Sequence, residues 1–300
     1  MSTTRRISIE RVLCPIDFSD ISHHALAHAG ALARWHQAQL TMLYVFPYLP
    51  AMDLFPLEDV DRENILTRMR EFAAIVPRDV RVDCQVREWQ PVHQAIVSQL
   101  EASQADMLVM GTHGRSGFQR LFLGSVTEKV IRSVKCPTLI VPPRSPDIAP
   151  DTPVQFQRIL CPTDFLPSSL KAFEYAIGVA EEADAQLTLL HVVEILAALG
   201  HEPPIAEDQF ARLRGAAIGD ARRRLSNLVP DVARPYCMIE AIVVEGRAYK
   251  QILCQAKERR ADLIVMGVHG RGAIDLLLFG STTHQVLRAS TCPVLIVRQA

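Results

Sequence analysis

Residues 106–125 read DMLVMGTHGRSGFQRLFLGS, and residues 262–281 read DLIVMGVHGRGAIDLLLFGS. Each stretch begins with a short apolar run, passes into a glycine and closes on Gly-Ser. The glycine spacing is the same in both: Gly, two residues, Gly, nine residues, Gly-Ser. It falls at Gly111, Gly114, Gly124 and Ser125, and again at Gly267, Gly270, Gly280 and Ser281. MLVM and LIVM read as strands, and a strand that is apolar throughout is buried on both faces. Buried strands of this kind belong to parallel sheets covered by helices on each side.

The duplication extends over the chain. VLCPIDF at 12–18 returns as ILCPTDF at 159–165. LTMLYV ending at Val45 returns as LTLLHV ending at Val192, and KCPTLIV at 135–141 returns as TCPVLIV at 291–297. The early pairs lie 147 residues apart and the late ones 156, so the second copy carries nine extra residues between Val192 and Asp262. The loop EILAALGHEPPIAE and the helix after it are the expected places. Between the copies, prolines at 142, 143, 146, 150 and 153 rule out a helix or an interior strand. We therefore expect a first domain at 1–143, a proline-rich linker at 144–155 and a second domain at 156–300. In each copy, strands alternate with amphipathic stretches such as ISHHALAHAGALARWHQA, whose Ala25, Ala29, Leu32 and Trp35 share a helix face. Strand–helix alternation predicts an α/β fold, with five strands in each of two domains.

Composition narrows the function. With 32 basic and 33 acidic residues, the net charge of -1 gives no electrostatic basis for a nucleic-acid or acidic-membrane partner. No apolar run reaches the ~18 residues of a membrane-spanning helix, and no apolar segment follows Arg5 and Arg6 as a signal peptide requires. The expectation is a cytoplasmic protein. Seven cysteines, odd in number and without a C-x-x-C pair, read as reduced thiols.

In an open parallel sheet, ligands bind beyond the carboxyl ends of the strands, where Gly111 and Gly267 fall. A glycine there can take positive φ and admit a ligand to the backbone. Gly124-Ser125 and Gly280-Ser281 begin helices, with serine the expected N-cap and free amides the expected phosphate donors. Ser125, Thr127, Ser281 and Thr283 add hydroxyls. The chain contains no Gly-Lys, which excludes a Walker loop, and neither copy has the G-x-G-x-x-G of dinucleotide sites. An aspartate just after a strand, as at Asp17 and Asp164, serves either as a turn or cap residue or as a ligand acceptor.

Histidines offer no catalytic constellation. His24 and His28 share a helix face with His23 beside them, but no H-E-x-x-H follows, so a solvated or partly buried helix face is expected. His113 and His269 recur inside the glycine loops, either near phosphate or bracing the loop.

On these residues the chain resembles a tandem universal stress protein, a family whose nucleotide-binding members share G-2x-G-9x-G-[S/T]. The resemblance covers nearly the whole chain outside the linker. It implies two open parallel sheets in strand order 3-2-1-4-5, paired as an internal pseudo-dimer that can form a homodimer. It also implies ATP, with or without Mg2+, across the carboxyl ends. By position, Pro15, Ile16 and Asp17 line the adenosine pocket, with Asp17 accepting a hydrogen bond. Val45 and Met110 pack on the adenine. Gly111, Gly114, Arg115, Gly124, Ser125, Val126 and Thr127 take the ribose and phosphates. The second copy matches with Pro162, Thr163, Asp164, Val192 and Met266, then Gly267, Gly270, Arg271, Gly280, Ser281, Thr282 and Thr283.

The copies also differ. Arg115, Arg120 and Lys129 of the first correspond to Arg271, Leu276 and Gln285 of the second, and Gly246 of the second is Gln90 in the first. Both sites are expected to bind, the first more tightly to triphosphate. The function implied is a nucleotide-dependent stress regulator with at most slow hydrolysis. A true ATPase or kinase-like enzyme and a scaffold holding another ligand are the alternatives.

Overall fold

The computed structural model describes residues 7–46, 59–88, 91–114, 123–143, 145, 156–194, 207–229, 238–268 and 280–298. The chain divides into two compact units, built mainly from Ser8–Gln155 and from Phe156–Ala289.

The first unit runs β1 (Arg11–Ile16), α1 (Asp20–His36), β2 (Gln39–Phe46), α2 (Asp59–Phe72), β3 (Val82–Glu88), α3 (Val92–Ser103), β4 (Met107–Gly111), α4 (Ser125–Ser133) and β5 (Thr138–Val141). Its sheet order is β3-β2-β1-β4-β5, and all four pairings are parallel. The second unit repeats the plan with β6 (Arg158–Pro162), α5 (Pro167–Ala183), β7 (Gln186–Val193), α6 (Glu207–Leu228), β8 (Met238–Glu245), α7 (Ala248–Glu258), β9 (Leu263–Val268), α8 (Ser281–Ala289) and β10 (Val294–Arg298). Its order is β8-β7-β6-β9-β10. The expected order 3-2-1-4-5 is therefore met in each copy.

Central strands carry the cores. Leu13, Cys14, Leu108 and Val109 are fully buried in the first unit, as are Cys161, Leu187, Leu263 and Ile264 in the second. Removing each leucine or isoleucine side chain from water contributes about 1.5–3 kcal/mol. Helix α1 meets its sheet through Ala25, Ala29 and Leu32, whereas Trp35 is only half-buried and stacks on His36. Among the described residues four helices are followed by a left-handed residue that is not glycine: Gln37, Gln104, Asp184 and Arg260, at φ 55, 50, 51 and 52. Each of these amides returns to a carbonyl of the last turn, stopping the helix and turning the chain into the next strand.

The aspartate that opens each quoted stretch has a structural task. Asp106 accepts the amides of Glu10 and Arg11 at 2.9 Å each, fastening the start of β4 to the start of β1. Asp262 does the same in the second unit, accepting from Gln157 at 2.9 Å and Arg158 at 3.0 Å. Helix α6 spans 22 residues where α2 spans 14, so part of the extra length in the second copy lies in this helix. Most of the loop EILAALGHEPPIAE lies outside the described residues.

Candidate functional site

In the second unit a cavity of about 250 Å³ opens at the carboxyl ends of β6, β7 and β9, bounded by the first turns of α7 and α8. Pro162, Thr163 and Asp164 enter it from the end of β6, Val192 from β7, and Met266 with Gly267 from β9. Gly280, Ser281, Thr282 and Thr283 close it from α8. These ten residues, spread over 122 positions of sequence, form one wall system. Gly270, Arg271 and His269 lie outside the described residues, as do Leu276 and, in the first unit, Arg115 and Arg120.

Six lining residues were not anticipated: Ser169, Leu190, His191, Ala248, Ile252 and Val268. Leu190, Ile252 and Val268 supply apolar wall, a role any core position can play, so no sequence signal marked them. His191 had a signal, since it stands where the first copy has Tyr44, directly before the valine of the second strand. Its Nδ1 lies 2.8 Å from the carbonyl oxygen of Thr163. A carbonyl only accepts, so Nδ1 carries a proton and donates it to this bond.

The turn after β6 is built by short bonds. Thr163 donates its amide to Leu190 O at 2.8 Å, and Phe165 donates its amide to Thr163 Oγ1 at 3.0 Å. Asp164 Oδ1 accepts the Leu166 amide at 3.0 Å and the Ser169 hydroxyl at 2.7 Å. Asp17 does the parallel work in the first unit: its Oδ1 accepts the amide and hydroxyl of Ser19 at 3.1 and 2.6 Å. Ser19 in turn caps α1 by accepting from the Ser22 amide at 3.2 Å. Both aspartates are thus turn residues as well as residues at the carboxyl edge of the sheet. Pro15, Ile16 and Val45 stand at the ends of β1 and β2, with Ile16 and Val45 buried, and Met110 is 5% exposed on β4.

The ends of the first glycine loop are tied together. Thr127 donates its hydroxyl to Gly111 O at 3.0 Å, and Gly124 donates its amide to Thr112 O at 2.7 Å. Thr127 is buried, so its hydroxyl holds the strand end to α4. Gly114 packs on Asp17 Oδ2, and a Cβ on Gly124 would come within 2.9 Å of His113 Cα. His113 braces the loop through Thr112 Oγ1 at 3.0 Å. Burial pulls its pKa below the usual imidazole range, with Asp17 opposing the shift.

Two expectations about the glycines are corrected. Among the described glycines only Gly246 has positive φ, at 135°; Gly111 and Gly267 do not. The constraint at these two is close approach of the helix that follows the first strand. A Cβ on Gly111 would overlap Ile21 of α1, and one on Gly267 would overlap the Ser168 carbonyl of α5. The second correction concerns the cap. Helix α4 begins at Ser125 with Gly124 as N-cap (φ -61, ψ 140), and no side chain caps it. Ser281 is likewise the first residue of α8. Glycine offers no acceptor to the first-turn amides, which are left to another partner. Ser125 and Ser281 are exposed, Val126 is half-buried, and Lys129 is exposed on α4, while Gln285 is half-buried on α8.

No group of three metal-ligating side chains occurs among the described residues. His28 is buried with Nδ1 2.9 Å from His24 O, and His23 stands edge-on to Phe72.

Comparison with known proteins agrees with this architecture. The model of the universal stress protein family matches residues 8–142 and again 155–298. Over 147 residues the chain is 32% identical to universal stress protein YxiE of Bacillus subtilis (strain 168), covering 48% of this chain and 99% of that one. Over 302 residues it is 25% identical to a universal stress protein of Mycolicibacterium smegmatis, with 96% of each chain covered. In fold it is similar to the crystal structure of a universal stress protein from Archaeoglobus fulgidus DSM 4304, with a TM-score of 0.69, 22% identity and 98% of both chains covered.

Proposed function

Because the chain belongs to the universal stress protein family, we propose that it binds an adenine nucleotide at the carboxyl ends of its sheets and acts as a nucleotide-dependent stress regulator. The observation that carries this reading is the cavity of the second unit, which apolar side chains and the start of α8 line together. Leu190, Val192, Ile252 and Met266 suit a purine face. Asp164 offers a carboxylate to hydroxyl or amine donors. The first turn of α8, which follows Gly280, and the hydroxyls of Ser281 and Thr282 also line the cavity, donors suited to an anion at a helix N-terminus. Among the described residues nothing stands within 4 Å of where a Cβ on Gly280 would be, which leaves room for phosphate against the backbone. ATP is the nucleotide that the resemblance to the G-2x-G-9x-G-[S/T] members of the family implies.

Regulation suits the site better than rapid catalysis. Phosphoryl transfer requires a group that positions the nucleophile and cations at the transferring phosphoryl. The carboxylates of Asp17 and Asp164 already accept turn hydrogen bonds at the ends of β1 and β6. At most slow hydrolysis is the expected activity.

Denaturing the purified chain and identifying the released small molecule by mass spectrometry tests the reading, together with calorimetric titration by ATP, ADP and AMP. Release of an adenine nucleotide, or saturable binding of one, supports it. Absence of both overturns it, and many rapid turnovers of ATP would make the chain an enzyme instead.

A further inference from the structure

Directly behind each edge aspartate stands a phenylalanine in the left-handed region: Phe18 at φ 62 and Phe165 at φ 65. That conformation suits glycine, asparagine and aspartate, and a bulky aromatic adopts it only where its surroundings over-determine the backbone. The surroundings are the same in both units. Arg224 of α6 lies over the Phe165 ring at 3.9 Å, and that ring packs on His191 of β7 at 4.4 Å with the planes 37° apart. In the first unit Arg68 of α2 lies over Phe18 at 4.1 Å, and Phe18 packs on Tyr44 of β2 at 4.9 Å with the planes 42° apart. Phe72 widens this first stack edge-on at 5.4 Å.

The lowest tier is fastened to the turn it supports. His191 donates to the carbonyl of Thr163, and the Phe165 amide donates to the hydroxyl of the same threonine. Residues 163–166 are therefore held through the backbone and through the ring, with Asp164 between the two anchors. Its carboxylate stands in the cavity wall.

We propose that this cation–aromatic stack is the positioning element of the nucleotide site. Arg224 and Phe165 set where Asp164 meets the ligand, and Arg68 and Phe18 do the same for Asp17. The inference rests on the nucleotide reading above and deepens it, because the top tier belongs to α6. A bound nucleotide that fixes the turn must also steady α6 through Arg224, by the same factor that Arg224 contributes to nucleotide affinity.

Three variants of the full chain test this. Arg224→Met keeps the stem and removes the cation from an exposed residue, so no core is lost. Arg224→Lys restores a cation, and Phe165→Gly permits the left-handed backbone while deleting the ring. In ATP titrations, Arg224→Met weakens one class of sites about two- to fivefold, the range of an exposed cation–π contact. Arg224→Lys recovers most of the loss, and Phe165→Gly weakens that class further. By hydrogen exchange without ligand, the Phe165 and Leu166 amides exchange faster in Arg224→Met. ATP protects the α6 amides around Arg224 in the parent chain and not in this variant. Unchanged ATP affinity in both Arg224→Met and Phe165→Gly overturns the proposal. Should the parent chain bind no adenine nucleotide, the nucleotide reading fails by itself. The exchange of the Phe165 and Leu166 amides then decides the stack alone, and unchanged rates in Arg224→Met overturn it.

Discussion

Asp106 and Arg11 bond reciprocally: the Asp106 amide donates to the Arg11 carbonyl at 2.9 Å, and the Arg11 amide donates to Asp106 Oδ2 at 2.9 Å. Asp262 and Arg158 repeat the arrangement at 2.9 and 3.0 Å. Each pair aligns the two strands whose far ends make the site. Replacing either aspartate with alanine leaves two strand-start amides without their acceptor. We expect a loss of about 1–3 kcal/mol for each, read from the midpoint of urea unfolding. Midpoints equal to the parent's in both variants would show that the clamp contributes nothing.

The glycines of one motif separate by experiment. Ser168 O and Ser169 N crowd the position a Cβ would take on Gly267, the latter at 2.7 Å. Both belong to the α5 backbone, which cannot give locally. Gly267→Ala is expected to destabilise by about 1–3 kcal/mol or more. Gly111→Ala meets the Ile21 side chain instead and is expected to cost less. Gly280→Ala meets nothing within 4 Å among the described residues, so stability is expected to stay within about 0.5 kcal/mol. On the nucleotide reading, Gly280→Ala loses about tenfold in ATP affinity, a change of about 1.4 kcal/mol. Full affinity in a stably folded Gly280→Ala chain would count against the cradle.

Acid sensitivity has a named contributor. The His113 pKa is lowered in the folded chain, first by burial, with Asp17 opposing. Above the ordinary value of about 6.5, both folded and unfolded chains hold this ring neutral, and it has no effect on stability. As pH falls below that value, the unfolded chain takes up the proton that the folded one resists. Stability therefore declines towards lower pH. His113→Gln removes the proton uptake, so the fall in unfolding free energy between pH 7 and pH 5 is expected to be shallower than in the parent. An unchanged slope would assign the acid response to other groups, such as His93, whose pKa is lowered by burial and Lys129.

Thiol reactivity follows burial and one carboxylate. Cys14 and Cys161 are completely buried, which pushes their pKa values far up, and both should resist alkylation until the chain unfolds. Cys254 is exposed, yet its Sγ donates to Glu258 Oε1 at 3.1 Å, which raises its pKa as well. Glu258→Gln is expected to speed alkylation of Cys254 severalfold at pH 7.5, followed by peptide mapping. A rate equal to the parent's would mean that access, not thiolate population, controls this site.

Much of the architecture is legible in the sequence because it is carried by period and repetition. Apolar runs such as MLVM and LIVM mark buried parallel strands, and the duplicated motifs mark two domains. The strand-end positions Asp164 and Met266 and the helix-start Gly280 could be gathered into one place because an open α/β sheet brings its strand ends and the helices that follow them together. What stays hidden depends on distant partners. The amides that Asp106 accepts are about 95 residues away in sequence. The tightness at Gly267 comes from α5, and the left-handed Phe165 lies under an arginine of α6. A glycine alone does not say whether it serves backbone angle or helix approach, which is why positive φ was expected at Gly111 and Gly267 and is found at Gly246. The serine after Gly124 or Gly280 has the chemistry of a cap, but the helix begins one residue too early for it to act as one.

The closed space around Gly267 and the open space around Gly280 also bear on inheritance. A mutation at the first is screened by folding in every descendant, whatever that descendant binds. At the second it is screened only while a ligand must lie against the helix. A lineage that abandoned the proposed ligand would therefore be expected to keep Gly267 and let Gly280 drift, leaving in its sequence a record of what it once held.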